Sequence, residues 1–185
     1  EAAYRLMRKA GFRLVLFGLE SANQATLDRL VKALTVEQIE EGARLAARAG
    51  LDVHVTVMFG YPWEGENEIA NTVNLARRLL RKGYAYTLQV TMVVPYPGTP
   101  LFRELDQAGL LLTREWDEYD MRRQVMASGV PEKSIKAAVR QVYKAFLHPE
   151  TIVRRIFSTR DPLADLAFYW RGFLSVAGHL RDFKG

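Results

Sequence analysis

Three polar loops follow three apolar segments of the chain, and they hold most of the residues that could do chemistry. The first segment ends at Glu20 in the letters FGLES, the second ends at Gly60 in FGYPWE, and the third ends at Pro95 in VVPYPGTP. A carboxylate such as Glu20 could accept hydrogen bonds from a ligand's hydroxyl or ammonium groups, or it could simply stabilise the positive end of the following helix. The glycines and prolines would let the backbone approach a ligand closely.

Other candidate residues have an ordinary structural explanation beside the functional one. Lys32 follows an apolar helical face, and a single lysine is usually solvated. His54 and Thr56 lie on one face of a predicted strand, where threonine is commonly a β former. Ser21 fits a turn or a cap. We expect no metal ligand and no catalytic group among these residues, because the chain has no cysteine and its three histidines are not paired in sequence.

A repeated unit of helix, glycine and strand positions the three loops. Segments rich in helix formers end at Gly11, Gly50 and Gly83, where a helix needs a residue that tolerates positive φ just past its last turn. Apolar strands follow them near residues 12–18, 53–59 and 86–94. Strands that alternate with helices form parallel βαβ units. Functional residues of such sheets lie at the carboxyl ends of the strands, which is where all three loops are.

The helices between the strands carry recognisable signals. Thr35 and Gln38 have the spacing of a capping box at the start of one helix, and the next helix, near residues 66–82, has apolar residues at helical spacing. Negative charge near the start of that helix is predicted from Glu64, Glu66 and Glu68. A shorter helical segment precedes both, with an apolar face predicted at Leu27, Leu30 and Val31.

A boundary is predicted near residue 128, where the letters SGVPE interrupt the chain. We therefore expect an α/β domain at residues 1–128 and a helical C-terminal extension at residues 129–185. In the extension, Pro131 and Pro149 fit helix starts, and Asp161 with Pro162 fit the N-cap and first position of a last helix. That helix contains the letters FYWRGFL, which fit either internal packing or an interface.

Composition limits the classes of function. The net charge of +5 and the pI of about 9.6 are spread over helix faces, so a nucleic-acid partner is not expected. No apolar run approaches the roughly 18 to 20 residues of a membrane span, and the first residues lack a signal peptide's apolar core. We expect a cytoplasmic protein without a membrane span. The chain starts without methionine, in a helical pattern, and we expect a piece of a longer protein.

Taken together, five segments resemble the C-terminal half of a radical S-adenosylmethionine (SAM) enzyme core: LMRKAGFRLVLFGLESANQATLDRLVK, TVEQ, AGLDVHVTVMFGYPWE, VVPYPGTPLF and EWDEYD. The similarity covers roughly residues 1–120 and is greatest to the subgroup that often carries a cobalamin-binding domain, including the anaerobic magnesium-protoporphyrin ester cyclase type. It implies an α/β fold: the C-terminal half of a partial (βα)6 TIM-like barrel with parallel strands, followed by the α-helical extension.

The resemblance also implies a SAM site across the carboxyl ends of the strands. Glu20 matches a polar contact to SAM, and Lys32 matches a basic residue for the SAM carboxylate. Thr56 lies where relatives often have an acidic or polar group for the ribose, although this residue is neither Asp nor Glu. The complete set of cofactor-binding residues that it implies is Glu20, Ser21, Lys32, Thr56, Met58, Gly60, Val94 and Pro95.

In this family a [4Fe–4S] cluster, bound by a CxxxCxxC loop, reduces SAM and cleaves it to methionine and a 5′-deoxyadenosyl radical. That radical serves methylation, cyclisation or rearrangement of a small-molecule substrate, with an electron donor such as flavodoxin or ferredoxin. This chain has no cysteine, so the cluster ligands would lie outside it and we expect these 185 residues alone to be inactive. The use of cobalamin is left open, because its domain would also lie outside.

Two alternatives stay open from the sequence alone. One is another TIM-barrel enzyme, a lyase or aldolase, which would need a catalytic lysine or carboxylate metal ligands inside its strands. The other is a non-catalytic βα scaffold that lacks a cluster.

Overall fold

The computed structural model describes residues 1–151 and residue 178, and its centre is a parallel three-stranded sheet. The strands, hydrogen-bonded in chain order, are β1 (Leu14–Glu20), β2 (Asp52–Phe59) and β3 (Thr87–Met92). The helices are α1 (Ala2–Lys9), α2 (Gln24–Arg29), α3 (Val36–Arg48), α4 (Glu66–Lys82), α5 (Pro100–Gln107) and α6 (Glu132–Phe146), with a 3₁₀ turn at Trp116–Glu118. Parallel strands that follow one another in both space and sequence are wound as in a TIM-like barrel, so the predicted fold class is confirmed.

The two faces of the sheet differ in polarity. On β2, alternate side chains are buried against the helices, at Val53, Val55, Val57 and Phe59. On β2 and β3 the opposite face is polar and ranges from half-buried to exposed, and the register places His54 beside Thr87 and Thr56 beside Gln89. In a closed barrel this second face points inward. The open polar face is therefore the one that can line a site.

The predicted helix ends are confirmed. Gly11, Gly50 and Gly83 have φ values of 93°, 83° and 71°, just past α1, α3 and α4. The capping box is also present: the N–H of Gln38 donates to Thr35 Oγ1 at 3.2 Å, and the N–H of Thr35 donates to Gln38 Oε1 at 2.9 Å. These local signals fix where the connecting helices begin and end.

The boundaries of two strands were predicted wrongly. β1 begins only at Leu14, because the N–H of Phe12 still bonds to the carbonyl of Met7 at the end of α1, and it continues to Glu20, which pairs with Val57 of β2. β3 ends at Met92, where the backbone N–H bonds to the carbonyl of Met121 from a later loop. The strand that was expected to end at residue 18 therefore has Glu20 as its last residue.

Helix α6 packs beside β3 and α4, and its buried residues join the core that the sheet forms with α3 and α4. The predicted boundary near residue 128 falls in the loop before it. A helical turn begins at Pro149, as predicted, and continues to residue 151. Asp161, Pro162 and the segment FYWRGFL lie outside the described residues. Within the described part, no helix is both long and apolar enough to span a membrane.

Candidate functional site

Glu20 and Lys32, both predicted as site residues, form an ion pair at the carboxyl end of β1. Lys32 Nζ donates to Glu20 Oε1 at 3.0 Å, and the two side chains are 28% and 19% exposed. Gly18 lies directly beside the pair. A β-carbon at position 18 would collide with the Glu20 carboxylate and would lie 2.7 Å from Lys32 Nζ. The absence of a side chain at Gly18 therefore makes the space in which the two charges meet.

An unusual backbone turn aims the Glu20 side chain. Glu20 has φ 61°, in the left-handed region that few residues other than glycine adopt. The N–H of Ser21 donates to the carbonyl of Leu19 at 2.8 Å, so Glu20 is the centre of a γ-turn of the rare, strained kind. The register with β2 shifts between Gly18 and Glu20. Bulges of this kind redirect side chains next to functional sites.

Lys32 is placed by the end of α2. The N–H of Lys32 donates to the carbonyl of Leu27 at 2.9 Å, and the N–H of Val31 donates to that of Asp28 at 3.0 Å. This is a Schellman motif, with Val31 at the left-handed position that glycine usually occupies; its φ is 55°. Val31 is 84% exposed, so its predicted place on the apolar face was wrong.

The buried carboxylate of Glu64, in the loop after β2, connects this loop to the loop after β1. It is 2% exposed, and its Oε1 accepts hydrogen bonds from Ser21 Oγ at 2.6 Å and Thr26 Oγ1 at 2.6 Å. Asn23 Nδ2 is 3.4 Å away. Of the three acidic residues expected at the start of the next helix, Glu66 and Glu68 are in the first turn of α4. The prediction for Glu64 was wrong, because its side chain turns inward to hydroxyl donors.

Ser21 is the fully buried centre of this network. Its hydroxyl also accepts from the backbone N–H of Asn23 at 3.2 Å, and it lies 3.4 Å from Thr72 Oγ1 of α4. The N–H of Ala22 donates to the same Thr72 oxygen at 2.9 Å. Ser21 is thus a turn residue, and its side chain is committed to the protein.

Aromatic side chains cover the Glu64 network. Trp63 Nε1 donates to Thr26 Oγ1 at 3.2 Å, and the Trp63 ring stacks on Tyr61 with the ring centres 5.3 Å apart. The guanidinium carbon of Arg29 lies 3.9 Å from the ring centre of Trp63, within the range of a cation–π contact. Burial raises the pKa of Tyr61, with a further contribution from the negative charges of Glu20 and Glu64, so its phenol stays protonated.

The polar face of the sheet continues from the ion pair. The register places Thr56 of β2 directly beside Gly18, and Met58 follows two residues later on the same half-buried face. His54 Nδ1 lies 2.7 Å from Thr87 Oγ1, and burial lowers the pKa of His54, which keeps the imidazole neutral. Thr56 and Met58 therefore line the same surface as the ion pair.

The remaining predicted site residues follow the ends of β2 and β3. Gly60 has φ 97° and is buried, and a β-carbon there would lie 3.2 Å from Ile135 Cδ1 of α6. Val94 is 7% exposed and packs with Tyr119 and Val125. Pro95 is buried beside it.

No group of three potential metal ligands occurs among residues 1–151 and residue 178, and the chain as a whole has no cysteine. At the carboxyl ends of the parallel strands, the described residues bring together the Glu20–Lys32 ion pair, the Thr56 hydroxyl and the left-handed backbone of Gly60. The fold is that of TIM-like barrel proteins, a class in which ligands bind at this edge of the strands.

Comparison with known proteins supports the resemblance found in the sequence. The family model of the Radical SAM superfamily matches residues 1–76. An uncharacterized methyltransferase of Pyrococcus horikoshii is 31% identical over 178 residues, which is 95% of this chain and 38% of that protein. Residues 1–76 match the radical SAM superfamily, and the resemblance predicted from the sequence is confirmed.

Two further relatives carry more specific names. The bacteriochlorophyllide d C-8(2)-methyltransferase of Chlorobaculum tepidum is 24% identical over 82% of this chain and 34% of its own length. The anaerobic magnesium-protoporphyrin IX monomethyl ester cyclase of Rubrivivax gelatinosus is 32% identical over 54% of this chain and 17% of its own length. The chain thus spans well under half the length of each of these relatives.

Proposed function

We propose that this chain carries the SAM-binding face of a radical SAM enzyme, with Glu20 and Lys32 as the contacts to the amino-acid group of SAM. The observation that supports this most directly is the ion pair beside Gly18. A zwitterion carries one carboxylate and one ammonium group, and a half-buried pair of opposite charge can exchange its mutual hydrogen bond for two charge-assisted bonds to such a ligand. Lys32 would bind the carboxylate, and Glu20 would accept from the ammonium group.

The other predicted residues extend this surface. Thr56 lies beside Gly18 and offers a hydroxyl at the position that we assign to the ribose. Met58 and the backbone of Gly60 are assigned to one side of the adenine, and the backbone around Val94 and Pro95 to the other. Ser21 contributes through its position, because its hydroxyl already bonds within the protein.

The chemistry would come from bound SAM together with an iron–sulfur cluster that this chain does not ligate. When bound, a [4Fe–4S] cluster and SAM supply radical chemistry, and the thiolates for the cluster must lie outside these residues because the chain has no cysteine. What this chain does is bind and orient SAM. We accordingly expect the 185 residues alone not to cleave it, and we include in the proposal a cytoplasmic setting and an electron donor such as flavodoxin or ferredoxin.

Among the three reaction types, we favour methyl transfer to a small-molecule acceptor. The relatives named methyltransferase align with 95% and 82% of this chain, whereas the two named cyclase align with 54% and 55%. Cyclisation and rearrangement are the other outcomes that a product analysis would distinguish, and cobalamin use stays a prediction of the resemblance.

The lyase or aldolase alternative finds no support in the described strands. Their polar face carries histidine, threonine and glutamine at its centre, with no lysine, and no group of metal ligands occurs among the described residues. The scaffold alternative predicts instead that the ion pair is dispensable for any SAM-dependent activity.

The test uses the protein expressed from its complete reading frame, reconstituted anaerobically with iron and sulfide. We expect Lys32→Met and Glu20→Gln each to weaken SAM binding by about ten- to a hundredfold, the size of one or two charged hydrogen bonds. Equilibrium dialysis with labelled SAM measures the affinity, and release of 5′-deoxyadenosine measures cleavage.

Lys82→Met is the matched control. Lys82 is also a partly exposed lysine paired with a glutamate, at 3.4 Å from Glu40, but it lies on the outer face of α4. Its loss should leave SAM binding unchanged. Equal effects of Lys32→Met and Lys82→Met, or no SAM binding by the unaltered protein, would refute the proposed function.

A further inference from the structure

We propose that Glu64 is a positioning residue: its buried carboxylate holds Glu20 and Lys32 opposite each other without touching the ligand. The inference deepens the proposed function and rests on it, since the pair is assigned to SAM. Glu64 belongs to the loop after β2, whereas Glu20 is the last residue of β1 and Lys32 lies just past the end of α2. One oxygen atom of Glu64 receives a hydrogen bond from each of the two segments that carry these charges.

The Glu64 loop is itself firmly held. The N–H of Glu64 donates to the carbonyl of Tyr61 at 3.1 Å, which closes a turn, and the side chain is 2% exposed. A β-carbon on Gly129 would lie 3.1 Å from the Glu64 carbonyl oxygen, so the loop before α6 packs directly against the Glu64 backbone. A carboxylate on a backbone held in this way is a fixed point to which other segments can be tied.

One arm runs from Glu64 through Ser21 to Glu20. The Ser21 hydroxyl donates to Glu64 Oε1 at 2.6 Å. Ser21 is the residue that closes the γ-turn around Glu20, and a left-handed non-glycine residue persists only where its surroundings hold it. The direction of the Glu20 side chain therefore depends on the position of Ser21, which Glu64 fixes.

The other arm runs through Thr26 to Lys32. Thr26 Oγ1 donates to the same Glu64 oxygen at 2.6 Å, and it anchors the short helix α2. Leu27, the next residue, accepts the backbone hydrogen bond from Lys32 that closes the helix end. A shift of Thr26 would therefore move the lysine along with the helix.

The carboxylate is also costly to keep. Glu64 Oε2 is buried and accepts no hydrogen bond from any described residue. A half-satisfied buried carboxylate is a poor source of stability. The two arms use the other oxygen, Oε1, as their acceptor. Loss of Glu64 should therefore displace Glu20 and Lys32 more than it destabilises the fold.

Three substitutions in the protein expressed from its complete reading frame test the inference. Glu64→Gln keeps the shape and one acceptor oxygen, so it should leave SAM affinity within about threefold of the unaltered protein. Glu64→Leu removes the acceptor and should weaken SAM binding by about tenfold or more. Thr26→Val keeps the carboxylate, removes one donor, and gives a second variant should Glu64→Leu fail to fold. Thermal unfolding checks each fold.

A readout without SAM separates this inference from the proposed function. The Cε methylene signal of Lys32, labelled with ¹³C and assigned by its loss in Lys32→Met, reports on the ion pair. We expect Glu64→Leu and Thr26→Val to shift it toward its position in Glu20→Gln, and Glu64→Gln to leave it in place. An unchanged Lys32 signal in folded Glu64→Leu and folded Thr26→Val would overturn the inference, whatever happens to SAM.

If the Lys32 signal moves as expected but SAM affinity does not, Glu64 positions the pair and the assignment of the pair to SAM is wrong. A double-mutant cycle gives the final check. Because Glu64 acts through the pair, Glu64→Leu should weaken SAM binding much less in a Lys32→Met background than in the unaltered protein. Additive losses would mean that Glu64 affects SAM by another route and would overturn the inference.

Discussion

At the scale of single residues, the site depends on a position that has no side chain. Gly18 leaves the space in which the Glu20 carboxylate and the Lys32 ammonium group meet. The atoms that a β-carbon would displace are the far ends of two flexible side chains, which can move aside at little cost in folding energy. The position should therefore matter more for binding than for stability.

We predict that Gly18→Ala weakens SAM binding by about tenfold or more and changes the free energy of unfolding by less than about 1 kcal/mol. Isothermal titration with SAM and chemical unfolding measure the two quantities. Gly42→Ala is the control, since its β-carbon would lie 3.6 Å from Tyr4 Oη, an ordinary contact, within α3. It should stabilise the helix by up to about 1 kcal/mol and leave SAM binding unchanged. Unaltered SAM affinity in Gly18→Ala would show that the pair can move without consequence.

Residue types at the site could be predicted from the sequence, whereas their pairing could not. Glu20 was a candidate because of its loop and Lys32 because of the family resemblance, but their contact depends on the left-handed backbone of Glu20 and on a register shift with β2, which local sequence does not predict. Glu64 was missed because an acid shortly before a helix has a simple local explanation. The buried position of Glu64 depends on hydrogen bonds from Ser21 and Thr26, which are distant from it in sequence.

At the scale of elements, helix ends were the most predictable feature, because their signals are local. The glycines after α1, α3 and α4 and the capping box of α3 depend on residues within one turn of each other. The end of β1 depends on pairing with β2, and the end of β3 on a backbone bond to the loop at Met121. Such boundaries involve residues far away in sequence, which explains the errors of about two residues.

The end of α2 departs from this glycine rule, and the departure gives a prediction. Val31 holds the left-handed position of the Schellman motif, where a β-carbon costs about 1 to 2 kcal/mol. We expect Val31→Gly to raise the free energy of unfolding by roughly 1 kcal/mol, since the side chain is 84% exposed and little packing is lost. Urea unfolding measures the change.

Ala70→Gly, at an exposed position within α4, is the control for which the opposite change is expected: it should lower the free energy of unfolding by about 1 kcal/mol. Because Val31→Gly keeps the backbone bonds that place Lys32, SAM affinity should stay the same. A loss of stability in Val31→Gly would mean that the valine side chain makes a contribution that outweighs its backbone strain.

At the scale of the whole molecule, the sheet is protected unevenly. The β3 side is covered, because Met92 bonds to the backbone of Met121 and α6 packs alongside, with Tyr143 Oη 3.4 Å from the Val90 backbone nitrogen. Among the described strands, β1 pairs only with β2. Its apolar side chains include Leu14, 46% exposed, and Leu16, 62% exposed. A free strand edge with exposed apolar groups is prone to pair with another chain.

We therefore predict that the 185-residue chain, expressed alone, associates with itself through β1 as its concentration rises. Leu16→Lys places a charge on this strand and should shift the association to concentrations at least about tenfold higher, because lysine on an edge strand opposes pairing. Sedimentation velocity over a concentration series measures this. Leu112→Lys is the matched control, since Leu112 is 60% exposed but lies outside the sheet. If the two variants associate over the same concentration range, the association does not use β1. A sedimentation coefficient of the unaltered chain that is independent of concentration would show that the β1 edge does not pair with another chain.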